Sequence, residues 1–159
     1  MGVCGCGKTA VGEILALRLH GHFEDADHFH TDAAKDKMRA SIPLTDEDRW
    51  PWYEKLRALI IDQRAQVPHY ILACSALKRA YRDRLRASDL PEQIVFIHLD
   101  GSFELIRDRM AMRQGHYMPL SLLESQFAIL ERGEDVIPIR IEGTPDEIAD
   151  DILNHLTSA

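Results

Sequence analysis

The chain is poor in the residues that hold a protein together from outside its own core. It has three cysteines, Cys4, Cys6 and Cys74, an odd count too small for a disulfide framework. A reducing, cytoplasmic setting is the expectation from that usage. No apolar run reaches about eighteen residues and no basic-then-apolar leader opens the sequence, so neither a membrane span nor a secretion signal is expected. Positive charge is scarce as well: 19 Lys and Arg stand against 26 Asp and Glu, a formal net charge of −7. That balance argues against nucleic acid or an anionic membrane as partner, and any basic pocket has to be local. Internal repeats, low-complexity tracts and Gly/Ser/Pro-rich linkers are lacking, and 159 residues fit a single domain, 1–159. With 45% hydrophobic and 28% charged residues, the composition is that of a globular chain able to bury one core.

What is present is an alternation of short β-rich runs with longer amphipathic stretches. Strands are expected at 70–73, at 94–99 and at 136–141, the last weakened by Pro138, with a short one at Phe23-Glu24. Helical patterns cover 8–19, 46–66, 79–86, 103–112 and 120–131. A last helix opens at Thr144 as N-cap, with Pro145 in the first helical position and Glu147 completing a capping box. Strands and helices in alternation, with near-continuous apolar strands, imply an α/β fold: a parallel sheet with helices on both faces.

The strongest local signal is Gly2-Val3-Cys4-Gly5-Cys6-Gly7-Lys8-Thr9, which fits G-x-x-x-x-G-K-[ST]. Glycines let successive backbone N–H groups turn inward onto phosphate oxygens, and the following helix offers its positive end to the same anion. Lys8 would then reach the β- and γ-phosphates of ATP, and the Thr9 hydroxyl would ligate Mg²⁺. The same stretch also fits a dinucleotide fingerprint, Gly5-Cys6-Gly7-Lys8-Thr9-Ala10, with Asp25 and Asp27 about twenty residues on. Lys-Thr directly after the last glycine favours the phosphate loop. A strand normally precedes such a loop, and only Met1 stands ahead of Gly2. The expectation is a sheet without its first strand, from a start site placed too far downstream or from a shortened product. Cys4 and Cys6 read as small residues, or as thiols whose pKa the helix terminus and Lys8 lower.

Onward from the loop, the sequence resembles the small gluconokinases of the P-loop kinase group. The blocks that carry the resemblance are Asp25-Ala26-Asp27-His28-Phe29-His30, Lys37-Met38, Pro43-Leu44-Thr45-Asp46-Glu47-Asp48-Arg49 with Pro51-Trp52, and Cys74-Ser75-Ala76-Leu77-Lys78 with Tyr81-Arg82-Asp83. Arg113-Gln114-Gly115-His116-Tyr117 and Ser125-Gln126-Phe127 with Leu130-Glu131 follow in order, so most of the chain is covered. Serines are usual in the family where Cys4 and Cys6 stand, and prolines where Thr31 and Gly133 stand. The resemblance implies transfer of the ATP γ-phosphate to the 6-hydroxyl of D-gluconate, and it suggests a homodimer. A kinase of another small hydroxy acid and an inactive nucleotide-binding homologue are the alternatives.

By the same resemblance Asp25 would hold Mg²⁺ through water, and Asp27 would orient the attacking hydroxyl and take its proton. Two residues apart on extended backbone, the pair is expected to point to one side. His30 and Arg49 match family positions for substrate contacts. Lys78, Arg82 and Arg86 recur every four residues, and a basic stripe in a chain of net charge −7 is best explained by an anionic ligand, with Lys78 and Arg82 as substrate residues. Arg109 and Arg113, also four apart, would neutralise charge on the moving phosphoryl group from a short lid at about 109–119. Gln126 is expected to position that lid. Trp50 and Trp52 read as packing residues.

Overall fold

The computed structural model describes residues 1–40, 42–86, 94–112 and 120–158. Helix α1 (Lys8–Arg18) runs directly out of the glycine loop, followed by strand β1 (His22–Asp25), a 3-10 turn (Ala26–Phe29) and helix α2 (Asp32–Arg39). Next come α3 (Asp46–Gln63), β2 (Tyr70–Ala73), α4 (Arg79–Arg86), β3 (Ile97–Asp100) and α5 (Phe103–Ala111). The described chain closes with α6 (Leu120–Ile129), β4 (Ile137–Arg140) and α7 (Pro145–Ser158).

Both strand pairings are parallel, β1 with β2 (His22 opposite Tyr70) and β3 with β4 (Ile97 opposite Ile137). Ile71 packs into the cluster built from α1, α5, α6 and α7, whereas its neighbour Leu72 packs into the cluster around Trp52, Tyr53 and Leu56 of α3. Alternation with a period of two sends successive side chains to opposite faces, so the two cores cover both sides of the strands. This is the α/β arrangement expected. Gly12 lets α1 sit close on β1: a Cβ there would meet the Phe23 ring at 2.5 Å. Pro138 lies in β4, which among the described residues pairs only with β3, so the missing N–H falls on an edge strand.

Helix α2 and the start of β3 differ from expectation, and α3 ends at Gln63 rather than at 66. Helix α2 has one buried residue, Ala34, and so little apolar periodicity to betray it; Thr31 starts it by accepting a hydrogen bond from the Ala34 amide at 3.2 Å. Strand β3 begins at Ile97 rather than at 94, although the Phe96 carbonyl still accepts from the Ile137 amide of β4 at 2.8 Å. The capping box at Thr144 and Glu147 is present, and a second joins Thr45 to Asp48.

The cleft lies between β2 and β3, each paired along one edge only among the described residues. Its volume is about 630 Å³, and Leu15, Ile60, Ile71, Phe96, Ile97 and Ile152 are among its apolar walls. Met1 stands at one end. Its ammonium donates to the Ile97 carbonyl, and its own carbonyl accepts from the Leu99 amide at 3.0 Å, the pattern of a parallel ladder opposite His98. Gly2 donates to the Ser75 carbonyl at 3.1 Å, so residues 1 and 2 join the two strand pairs where the strands end. No described helix is long and apolar enough to cross a membrane.

Candidate active site

Parallel strands place their functional loops at their C-terminal ends, and ligands of open α/β sheets bind there, where neighbouring connections diverge. Four such segments leave that end: the glycine loop after Met1, the Asp25–Asp27 turn after β1, the 74–78 segment after β2 and the 141–143 segment after β4. Hydrogen bonds join the first three, Gly2 to Ser75 and Thr9 to Asp25.

The glycine loop turns through left-handed backbone. Gly7, at φ 101°, is the N-cap of α1; among the described residues no side chain caps the helix there, and a Cβ would meet nothing within 4 Å. The first-turn amides of α1 therefore have no side-chain cap among the described residues, the condition an anion needs. Lys8 Nζ lies back over the loop, donating to the carbonyls of Gly2 at 3.1 Å and Val3 at 2.9 Å. The side chains of Val3 and Cys6 are buried in the core, so both residues offer a ligand only their backbone. Burial also removes Cys6 from the solvent contact that a reactive thiol requires.

Thr9 Oγ1 donates to Asp25 Oδ2 at 3.2 Å, which brings the two expected metal ligands together. Asp25 and Asp27, however, are not aligned on extended backbone. Asp25 Oδ1 accepts the Asp27 amide at 3.0 Å, ends the strand and caps the 3-10 turn. Asp27 consequently points to His30, whose Nε2 lies 3.7 Å from Asp27 Oδ1. The His30 imidazole, seconded by the Lys8 ammonium, holds the Asp27 carboxyl below the usual carboxylate range. His30 is buried and stacks on Trp52 at 4.0 Å between centroids; Trp52 Nε1 in turn donates to the Ala26 carbonyl at 2.8 Å. The indole thus packs, as expected, and also fixes the turn that carries Asp27.

Arg49 and Lys78 converge on one partner pair, Asp46 and Tyr81. Lys78 Nζ is 3.0 Å from both Asp46 carboxylate oxygens, Arg49 Nη1 donates to Tyr81 Oη at 2.8 Å, and Tyr81 Oη donates to Asp46. Tyr81 and then Lys78 lower the Asp46 pKa. Two cations against one carboxylate leave a local positive charge in an acidic protein, and that surplus suits a carboxylate ligand.

The basic stripe is not a ligand surface along its whole length. Lys78 precedes α4, whereas Arg82 is 1% exposed and bonded to Asp135 at 2.6 Å and to the carbonyls of Ala76 and Leu77 at 3.1 Å each. Arg86 turns to the Asp135 carbonyl at 3.1 Å and lies over the Phe96 ring. Asp135, supplied by the same chain, gives Arg82 its carboxylate and Arg86 its backbone carbonyl, so Arg82 holds the 76–77 segment rather than substrate. Arg82→Ala is expected to cost about 3–5 kcal/mol, read by urea unfolding, because it strands a buried carboxylate. Arg82 holds the Asp135 carboxyl below its usual value. The pair's stability is therefore complete above the ordinary carboxylate pKa and is lost as pH falls through the lowered one. The stability gap between wild type and Asp135→Asn should close over that acid window. Arg109 is anchored on the carbonyls of Ile141 and Gly143, the latter at 3.3 Å, and its described hydrogen bonds lead to β4 and not to the phosphate loop. Arg113 and residues 113–119 of the expected lid lie outside the described residues.

Several contributors escape a reading of spacing alone. Gln126 Oε1 accepts the Cys4 amide at 2.6 Å, and Glu131 Oε2 accepts the Arg79 amide at 2.6 Å. Asp46 sits at the head of an acidic helix start and Tyr81 three residues after Lys78; that i,i+3 step was the available signal for the tyrosine.

Comparison with known proteins agrees with this geometry. The family model described as shikimate kinase matches residues 4–157. A gluconokinase of Gluconobacter oxydans is 44% identical over 158 residues, spanning 98% of this chain and 88% of that protein. The crystal structure of a gluconokinase from Sinorhizobium meliloti superposes with a TM-score of 0.87 at 39% identity, covering 99% of this chain and 89% of that one. An unliganded sugar kinase from a Janibacter species gives a TM-score of 0.88 at 42% identity, with 99% and 91% covered.

Proposed function

Because the chain belongs to the gluconokinases within the shikimate kinase family of P-loop kinases, we propose that it transfers the γ-phosphoryl group of ATP to the 6-hydroxyl of D-gluconate, giving 6-phosphogluconate and ADP. The observation that carries this reading is the placement of the phosphate loop, the Asp27–His30 pair and Lys78 at the ends of neighbouring strands, with Arg49 of α3 joined to Lys78 through Asp46 and Tyr81. Arg49 and Lys78 receive the gluconate carboxylate. The far hydroxyl of the same molecule is then presented at Asp27.

In the reaction the 6-hydroxyl oxygen bonds to the γ-phosphorus, the bond to the β–γ bridging oxygen breaks, and the hydroxyl proton passes to the Asp27 carboxylate. A carboxylate held below its usual pKa is ionised at neutral pH and accepts that hydrogen bond throughout. Lys8 leaves the Gly2 and Val3 carbonyls for the β- and γ-phosphates, and the α1 amides take the charge that the leaving ADP acquires. Thr9 Oγ1 and Asp25 Oδ2, both hard oxygen donors, fit Mg²⁺, which when bound neutralises phosphate charge. The free cysteines suit the reducing cytoplasm, where ATP is also available.

The test is ATP-dependent formation of 6-phosphogluconate, run beside shikimate and other small hydroxy acids. Preference for another acceptor would overturn gluconate as substrate. Asp27→Asn is expected to lower kcat by about 10²–10³ while KM for ATP stays within about threefold. Wild-type turnover in that variant would remove Asp27 from the chemistry.

A further inference from the structure

Helix α6 touches both half-sites. Near its end Gln126 accepts the Cys4 amide of the phosphate loop at 2.6 Å. Just beyond its end, the Glu131 amide donates to the Leu77 carbonyl at 2.9 Å, and the Glu131 carboxylate accepts the Arg79 amide at 2.6 Å. Leu77 and Arg79 are the two chain neighbours of Lys78, so Glu131 clamps the backbone on both sides of the cation proposed to bind the acceptor. Between these contacts the helix is pinned by fully buried Leu123 and by Phe127 on the ring of Phe103 at 5.4 Å, so its displacement carries both ends together.

We infer that Gln126 and Glu131 are positioning residues that make α6 a strut between the nucleotide loop and Lys78, so that nucleotide bound at the loop orders the Lys78 turn and raises affinity for the anionic acceptor. The Cys4 amide is committed to Gln126 and is not available to phosphate, so a phosphate that reshapes the loop pulls on α6 through this bond. The transmission is reciprocal: the acceptor strengthens nucleotide binding by the same factor. The inference rests on the proposed function only for the identity of the acceptor.

Hydrogen exchange of the 77–82 peptide, with and without ADP and Mg²⁺, reads the strut without any acceptor. Nucleotide should slow that exchange at least about threefold in the wild type and leave it unchanged in Gln126→Met, which keeps the side-chain length and lacks the acceptor oxygen. Calorimetric titration of gluconate then gives the ratio of affinities with and without ADP. About fivefold or more is expected in the wild type, near one in Gln126→Met and Glu131→Met, and no further loss in the double variant. Glu131→Gln keeps an acceptor for the Arg79 amide and should retain the coupling, so a folded variant remains even if Glu131→Met does not fold. Unchanged coupling in folded Gln126→Met, or no nucleotide-dependent protection in the wild type, overturns the strut. Protection that depends on Gln126, together with a silent gluconate titration, sustains the strut and overturns gluconate as acceptor.

Discussion

Lys8→Ala is expected to reduce phosphoryl transfer at least about a thousandfold while the protein stays folded. Among the described groups, the Lys8 ammonium follows directly on the last glycine of the loop and is already held over it by the carbonyls of Gly2 and Val3. Those two bonds go to carbonyls that water can readily serve instead, so their loss should shift Tm by no more than a few degrees. Charge on the transferring group has no such substitute: the α1 amides remain, but no other described cation replaces the ammonium at that place. Lys8 also helps to keep Asp27 ionised, so its removal lets the Asp27 pKa rise. The acid limb of the residual activity should accordingly move to higher pH. Lys8→Arg should not restore turnover, since a planar guanidinium cannot occupy the point position of an ammonium against curled backbone. Rates within tenfold of wild type in Lys8→Ala would separate this loop from phosphoryl transfer altogether.

The loop and the helix behind it were legible because their requirements are local: left-handed glycine at position 7, an ammonium next, a hydroxyl after it. The same holds for β2 and α4, whose bounds agree with the pattern, and for the capping box at Thr144. Long-range partners were not legible. A step of four residues puts Lys78, Arg82 and Arg86 on one helix face but does not say what that face meets, and Asp135 lies 53 residues from Arg82. The Asp25–Asp27 turn departs from strand geometry for a local reason. Strand geometry predicts parallel side chains two residues apart, but a carboxylate that captures the amide two residues on ends the strand at itself. Gln126 and Glu131 occupied recognisable blocks, yet only folding shows that one reaches the phosphate loop and the other the Lys78 turn.

Extending the chain ahead of Met1 by about five apolar, β-branched residues should raise its stability by about 5 kcal/mol, seen as a Tm gain of about 10–15 °C. Such residues would continue the parallel ladder that Met1 starts against β3 and that Gly2 starts against Ser75, and their side chains would enter the cleft of about 630 Å³. Each buried side chain contributes about 1.5–3 kcal/mol against about 1–2 kcal/mol of backbone entropy, and each ladder bond adds about 1 kcal/mol. A second contribution comes from the terminal amine. Burial lowers the Met1 amine to about 6 from its ordinary value of 8.0, so the unfolded chain binds more protons between those values. Stability of the 159-residue chain therefore climbs as pH rises from 6 to 8 and is lost as pH falls back through 6. In the extended chain that nitrogen is an amide, and this slope should vanish. An extension carrying Asp at its centre tests the geometry, because an inward carboxylate cannot enter an apolar slot between two paired strands. Equal gains from both extensions would show that the added residues lie elsewhere than between β2 and β3, and a slope that persists in either would show that it does not come from the Met1 amine.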